Sequence, residues 1–181
     1  MSESLHTQTI TELAAAIASG QLSPLELTEA LLARIERLNG PLNAFNLVTA
    51  ERALAEARAA ECLITAGRSL GPLHGVPYAV KDIFDVGGLP TTAGSRLLEN
   101  NVAREDSWST RRLAQAGMIV LGKTITVEFA RGIIGVNNIQ GTPHNPWHRI
   151  AHIPGGSSAG SAVAVAAGLA PMALGSDTGG S

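Results

Sequence analysis

The sequence predicts an α/β protein, with helices laid against a mixed β-sheet. Two observations carry that class. The first third of the chain is made of punctuated helical segments, and after Gly71 the texture changes to glycine and proline turns between short β-branched runs. In that second part a strand, a helix and a strand alternate, the pattern of an α/β core. A chain of 181 residues buries roughly two thirds of its unfolded surface, enough for one domain. We therefore expect a helical layer over 1–70 and an α/β core over 71–181, parts of a single unit.

The elements follow in order. Thr9 and Glu12 make a capping box ahead of LAAAIAS, and Gly20 stops that helix. Ser23, Pro24 and Glu26 open a second helix, with proline at its first position, running through LELTEALLARIERL to Asn39 and Gly40. A third spans TAERALAEARAAECLITAG, Ala-rich on one face, and ends at Gly67. VPYAVKDIF (76–84) and MIVLG (118–122) read as buried strands, and SWSTRRLAQAG (107–117) as the helix between them. Residues 132–156 read as irregular. SSAGSAVAVAAG (157–168) reads as a small-residue helix, and PMALG after it as a short strand.

Aromatic residues make up only 3% of the chain, so the core must be built from Ala, Leu, Val and Ile. The 13 basic and 15 acidic residues are scattered without a run of like sign. That leaves no electrostatic footprint for nucleic acid or an anionic membrane, and a small neutral substrate suits the chain better. AVAVAAGLAPMALG (162–175) is too short to span a bilayer. Cys62 is alone and forms no internal disulfide, and MSESLHTQTITEL lacks the basic flank and apolar stretch of a signal peptide. The expected compartment is the cytoplasm.

Gly117 to Thr124 satisfies the phosphate-loop expression G-x-x-x-x-G-K-[ST] and taken alone would suggest an ATPase. Its middle residues, Met-Ile-Val-Leu, have the character of a core strand, and Ile125-Thr126-Val127 open a helix poorly. His144, His148 and His152 are spaced as metal ligands on one helix, but Pro146 and Pro154 leave room for barely one turn. Surface histidines on a loop are the preferred reading, and no metal or cofactor is expected.

PGGSSAGSA (154–162) and GSDTGGS (175–181) each place a serine among consecutive backbone N–H groups, as an oxyanion site requires. No histidine adjoins either loop, so a serine there needs another base. Lys81, in the apolar strand VPYAVKDIF, is the candidate, because burial disfavours an ammonium and frees the amine to accept a proton. On strand alternation alone, a pairing of Lys81 with Asp82 or Asp85 fits equally well.

These residues resemble the N-terminal part of an amidase signature family enzyme. The resemblance runs from about residue 8 to the end and is carried by GPLHGVPYAVKDIFDVGGLPTTAGS (71–95), LGKTITVEFA (121–130), NPW (145–147) and PGGSSAGSAVAVAAGLAPMALGSDTGGS (154–181). It implies the amidase signature fold and a Ser-cisSer-Lys triad: Lys81 as base, Ser157 as bridge after a cis peptide from Gly156, and Ser181 as nucleophile and site of an acyl-enzyme. The 24 residues from Ser157 to Ser181 match the family interval. The backbone N–H groups of Thr178, Gly179, Gly180 and Ser181 are then the expected oxyanion donors, with Asp177 a structural acceptor beneath their loop. Ala159 stands where the family often has glycine, and Ser158 and Ser161 are expected to cap the helix, Ser158 also offering a hydrogen bond near the site.

The implied function is hydrolysis of a small-molecule amide, without nucleic acid, membrane or cofactor, and a homodimer is compatible with it. The alternative within the resemblance is the A subunit of glutamyl- or aspartyl-tRNA amidotransferase, a glutaminase that passes ammonia to its partners in the complex. EFARGIIGVNNIQGTPHNP (128–146) differs from what those subunits tend to carry and favours a stand-alone amidase. The remaining alternatives are an inactive fragment and the phosphate-loop ATPase. Because the chain stops at its expected nucleophile, it is expected to be truncated and inactive alone.

Overall fold

The helices begin where their caps stand. In the computed structural model, which describes residues 2–148 and 152–181, a 3-10 turn (Ser2–Thr7) precedes α1 (Ile10–Ala18), and the Thr9–Glu12 capping box is formed. α2 (Pro24–Leu42) starts at Ser23, whose hydroxyl accepts from the N–H groups of Leu25 and Glu26. It runs past Gly40 to Leu42, because the residue that turns left-handed to end it is Asn43, at φ 50°. The Asn39 side chain fixes the exit: Oδ1 accepts from Ala44 and Phe45, and Nδ2 donates to the Phe45 carbonyl.

The exit leads into an element the sequence does not announce. Residues 45–48, inside the stretch read as helical, form strand β1 (Phe45–Val48). Four residues are too few to signal a strand, and pairing with a neighbour about 75 residues away decides the matter. α3 (Ala50–Thr65) follows and packs on α2 and on the sheet through buried Ala53, Ala57 and Ala60. Small side chains let these backbones approach closely.

β2 (Pro77–Lys81) and β3 (Ile119–Thr124) are parallel and buried at every residue, with α4 (Trp108–Gln115) as the crossover between them. β2 is shorter than 76–84 because Ile83 and Phe84 both donate to the Lys81 carbonyl and turn the chain. α5 (Ala159–Ala166) and β4 (Ala173–Leu174) complete the order β1-β3-β2-β4, with β1 antiparallel and β4 parallel to its neighbour. The sheet is mixed, as expected. Among the described residues no helix is long and apolar enough to cross a membrane.

The phosphate-loop match is overturned by this topology. Residues 119–124 are a buried strand whose backbone is committed to β1 and β2, leaving no N–H cradle for phosphate. The Lys123 ammonium is likewise engaged, donating to Asp82 Oδ1 at 2.6 Å, the Pro90 carbonyl at 2.8 Å and Thr91 Oγ1 at 3.2 Å. His144, His148 and His152 are exposed, His144 and His148 lie outside any helix, and the rings of His148 and His152 stand 3.8 Å apart.

α5 sits directly on the sheet. Gly160 donates to the Ile125 carbonyl at 2.8 Å, and a Cβ there would lie 2.3 Å from the Ala44 carbonyl oxygen and 2.5 Å from the Ile125 nitrogen. Both obstacles are backbone and cannot swing aside. Gly160→Ala gains about 1 kcal/mol of helix propensity but overpacks the contact by more. We expect a net loss of about 2 kcal/mol or more, read as a lower denaturant midpoint with an unchanged m-value.

Candidate active site

Strand alternation divides the end of β2. Lys81 pairs with Thr124 in the parallel register and shares its face, where Thr124 Oγ1 meets Ser161 Oγ of α5 at 2.7 Å. Val80 and Asp82 point to the other face with Lys123. The Asp82 partner considered for Lys81 is thus taken by Lys123, and Lys81 meets hydroxyls instead. Its Nζ lies 2.6 Å from Ser157 Oγ and 2.7 Å from Ser176 Oγ. Burial lowers the Lys81 pKa from its ordinary 10.5 to about 8.

Ser157 is fully buried and follows a cis peptide bond from Gly156. Its carbonyl accepts from Val127 N–H and from Thr126 Oγ1, each at 3.1 Å, and Gly156 N–H donates to the Ile133 carbonyl. Those bonds seat the serine between the segment that follows β3 and the turn around Ile133. Ser158 stands at the N-cap of α5 but makes no side-chain cap; its hydroxyl accepts from Ser176 N–H at 3.1 Å. Ser161 bonds the Leu174 carbonyl at 2.8 Å. The capping expected of both serines is replaced by ties to β4 and to the residues just after it, and the bond expected of Ser158 near the site is present.

Ser181 Oγ lies 3.4 Å from Ser157 Oγ and 3.3 Å from the Ala130 carbonyl, to which it donates. That carbonyl belongs to a turn in which Phe129 and Ala130 both adopt left-handed φ, 52° and 55°. Such backbone is uncommon for residues with side chains and clusters at functional sites. Thr178, Gly179 and Gly180 line the exposed turn before Ser181. Gly180 N–H donates to Asp177 Oδ1 at 2.7 Å, so Asp177 is an acceptor under the loop and occupies one of the four expected oxyanion donors.

Two participants are invisible in the sequence. The Ala130 carbonyl carries no side-chain signal at all. Ser176 sits two residues past β4, where parallel pairing of β4 with β2 brings it onto Lys81 across 95 residues of chain. Ser176→Ala removes one of two hydroxyls on the amine while touching no substrate atom. Loss of one such bond is expected to lower kcat roughly tenfold with KM little changed, measured by steady-state kinetics.

A buried amine at the end of β2, in line with two serine hydroxyls, is an arrangement along which a proton can pass. A family model for amidases matches residues 26–181. The chain belongs to the amidase signature family.

Its relatives lie on both branches of the resemblance. Over 177 residues it is 50% identical to the A subunit of glutamyl-tRNA(Gln) amidotransferase from Thioalkalivibrio sulfidiphilus, covering 98% of this chain and 36% of that protein. Among solved structures, the peptide amidase of Stenotrophomonas maltophilia is 40% identical with a TM-score of 0.83, covering 90% of this chain and 34% of the other. A chain from a vestigial protein complex, described as revealing the evolutionary origins of an s-triazine catabolic enzyme, is 42% identical with a TM-score of 0.91, covering 94% and 37%. The chain therefore spans little more than a third of the length of the relatives it matches.

Proposed function

We propose that this chain supplies the catalytic centre of an amide hydrolase working through Ser181, Ser157 and Lys81. The observation that carries the reading is the unbroken line of polar atoms, 3.4 Å from Ser181 Oγ to Ser157 Oγ and 2.6 Å on to Lys81 Nζ. Neutral Lys81 takes the Ser157 proton as Ser157 takes that of Ser181, whose oxygen attacks the amide carbonyl. The relay then returns a proton to the departing nitrogen, the C–N bond breaks, and an ester on Ser181 remains. Water attacks that ester by the same route, releasing the carboxylic acid and restoring Ser181.

The developing oxyanion would rest on the backbone N–H groups of Thr178, Gly179 and Ser181, Gly180 joining them once Asp177 lets go. In this reading the segments 1–70 and 71–181 act as one catalytic unit on a small-molecule amide in the cytoplasm, a role compatible with a homodimer. The acyl-enzyme is the step to test. Hydroxylamine added to the full-length protein with an amide substrate should divert the acyl group to a hydroxamate. Hydrolysis without hydroxamate at any hydroxylamine concentration counts against the covalent route.

A second reading is favoured by the 50% identity to an amidotransferase A subunit. There the amide is glutamine, and the released ammonia passes to partner subunits. Glutaminase activity that rises on addition of such partners selects this reading, and hydrolysis of simple amides indifferent to them selects the first.

A further inference from the structure

Resting on the reading of Lys81 as the base, we infer that Lys123 is a positioning residue of the same reaction: by pairing with Asp82 on the far face of the sheet, it holds that carboxylate's charge away from Lys81. Lys81 and Asp82 are chain neighbours, both fully buried, yet they do not pair. Lys123, the lysine of the phosphate-loop pattern, instead places its three donors on Asp82 and on the Pro90 and Thr91 oxygens. Lys81 is left between the neutral hydroxyls of Ser157 and Ser176. Two buried lysines on adjacent strands are thus sorted, one into an ion pair and one into a neutral site.

Without Lys123, no other cation would touch Asp82 among the described residues: Asn46 Nδ2 and the N–H and hydroxyl of Thr92, which all donate to Asp82 Oδ2, are neutral. A buried, uncompensated carboxylate one residue from Lys81 would then favour the ammonium form of that lysine. Other groups are poorly placed to do the same. β1, β4 and α5 carry no ionisable side chain, and the Tyr78 phenol of β2 is pushed well above its usual range by burial and stays uncharged. On α2 and α3 the charged side chains are exposed or partnered, Arg52 with Glu56, Glu61 with Ser23, Arg34 with the Ala167 carbonyl. Arg111 and Arg112 of α4 are exposed. Glu128, Arg131 and Asp177, on loops beside the site, are exposed, Asp85 is half-exposed, and water screens all four.

The pH dependence of kcat/KM in the full-length protein tests this. Lys123→Met should move the acid limb to higher pH by roughly half to one unit. Lys123→Gln, which keeps two N–H donors, should do the same and serves where the methionine variant fails to fold. Lys123→Arg should leave the limb near its wild-type position, and Lys123→Met combined with Asp82→Asn should return it there, since both charges are gone. A folded neutral variant, judged by its circular dichroism melt, with an unmoved limb overturns the inference. So does a double variant whose limb stays displaced. An acid limb that survives Lys81→Met instead shows the base to be misassigned, a separate failure from that of Lys123.

Discussion

Ser181→Ala in the full-length protein is expected to reduce amide hydrolysis by at least roughly 10⁴-fold while substrate binding changes little. The reason lies in what else the site could use. Ser157 is fully buried and hydrogen-bonded to Lys81, so it cannot reach a substrate as a substitute nucleophile. Water activated by Lys81 through Ser157 would leave only a slow non-covalent route. Measuring initial rates and, separately, binding of an unreactive amide distinguishes loss of chemistry from loss of the pocket. A residual rate within about a hundredfold of wild type would remove Ser181 from its role.

Lys81→Met is the second change of comparable size. It takes away the only basic atom in contact with Ser157 among the described residues, and a loss of roughly 10³-fold or more is expected in kcat/KM. The wild-type profile carries the same information. With the Lys81 pKa lowered to about 8, kcat/KM should fall close to tenfold per unit below pH 8 and level off above it. Stability shares this group. A lysine with a lower pKa folded than unfolded opposes folding below the folded value, and the opposition is relieved as pH rises from about 8 to its ordinary 10.5. The denaturation midpoint should therefore rise across that window in wild type more than in Lys81→Met.

Much of the fold is readable in the sequence, for identifiable physical reasons. Helix starts were legible because caps are local: Thr9, Ser23 and Ser107 act on backbone within three residues of themselves. Lys81 was legible because a charged side chain in an apolar run needs an explanation, and Ser157 through the resemblance carried by PGGSSAGSA. β1 was not, since its four residues become a strand only through β3. Nor was the stop of α2 at Asn43, where the left-handed turn passed over the available Gly40. Which carboxylate faces which lysine was equally hidden, because alternation is certain only once the register of β2 on β3 is known. Ser158 and Ser161 show the same limit: the sequence offers a cap, and β4 with the residues just after it offers a better partner.

The separation between Lys81 and its hydroxyl partners also sets a schedule. Ser157 follows it by 76 residues and Ser176 by 95. A ribosome adding about 5 to 20 residues per second emits the lysine roughly 5 to 20 s before Ser176. During that interval the edge of β2 that will receive β4 is open, and the amine has neither hydroxyl to contact until Ser157 emerges. The nascent chain thus carries an unfinished strand edge while most of its helices are already complete, which makes the interval before residue 173 the time when a holding chaperone would matter most.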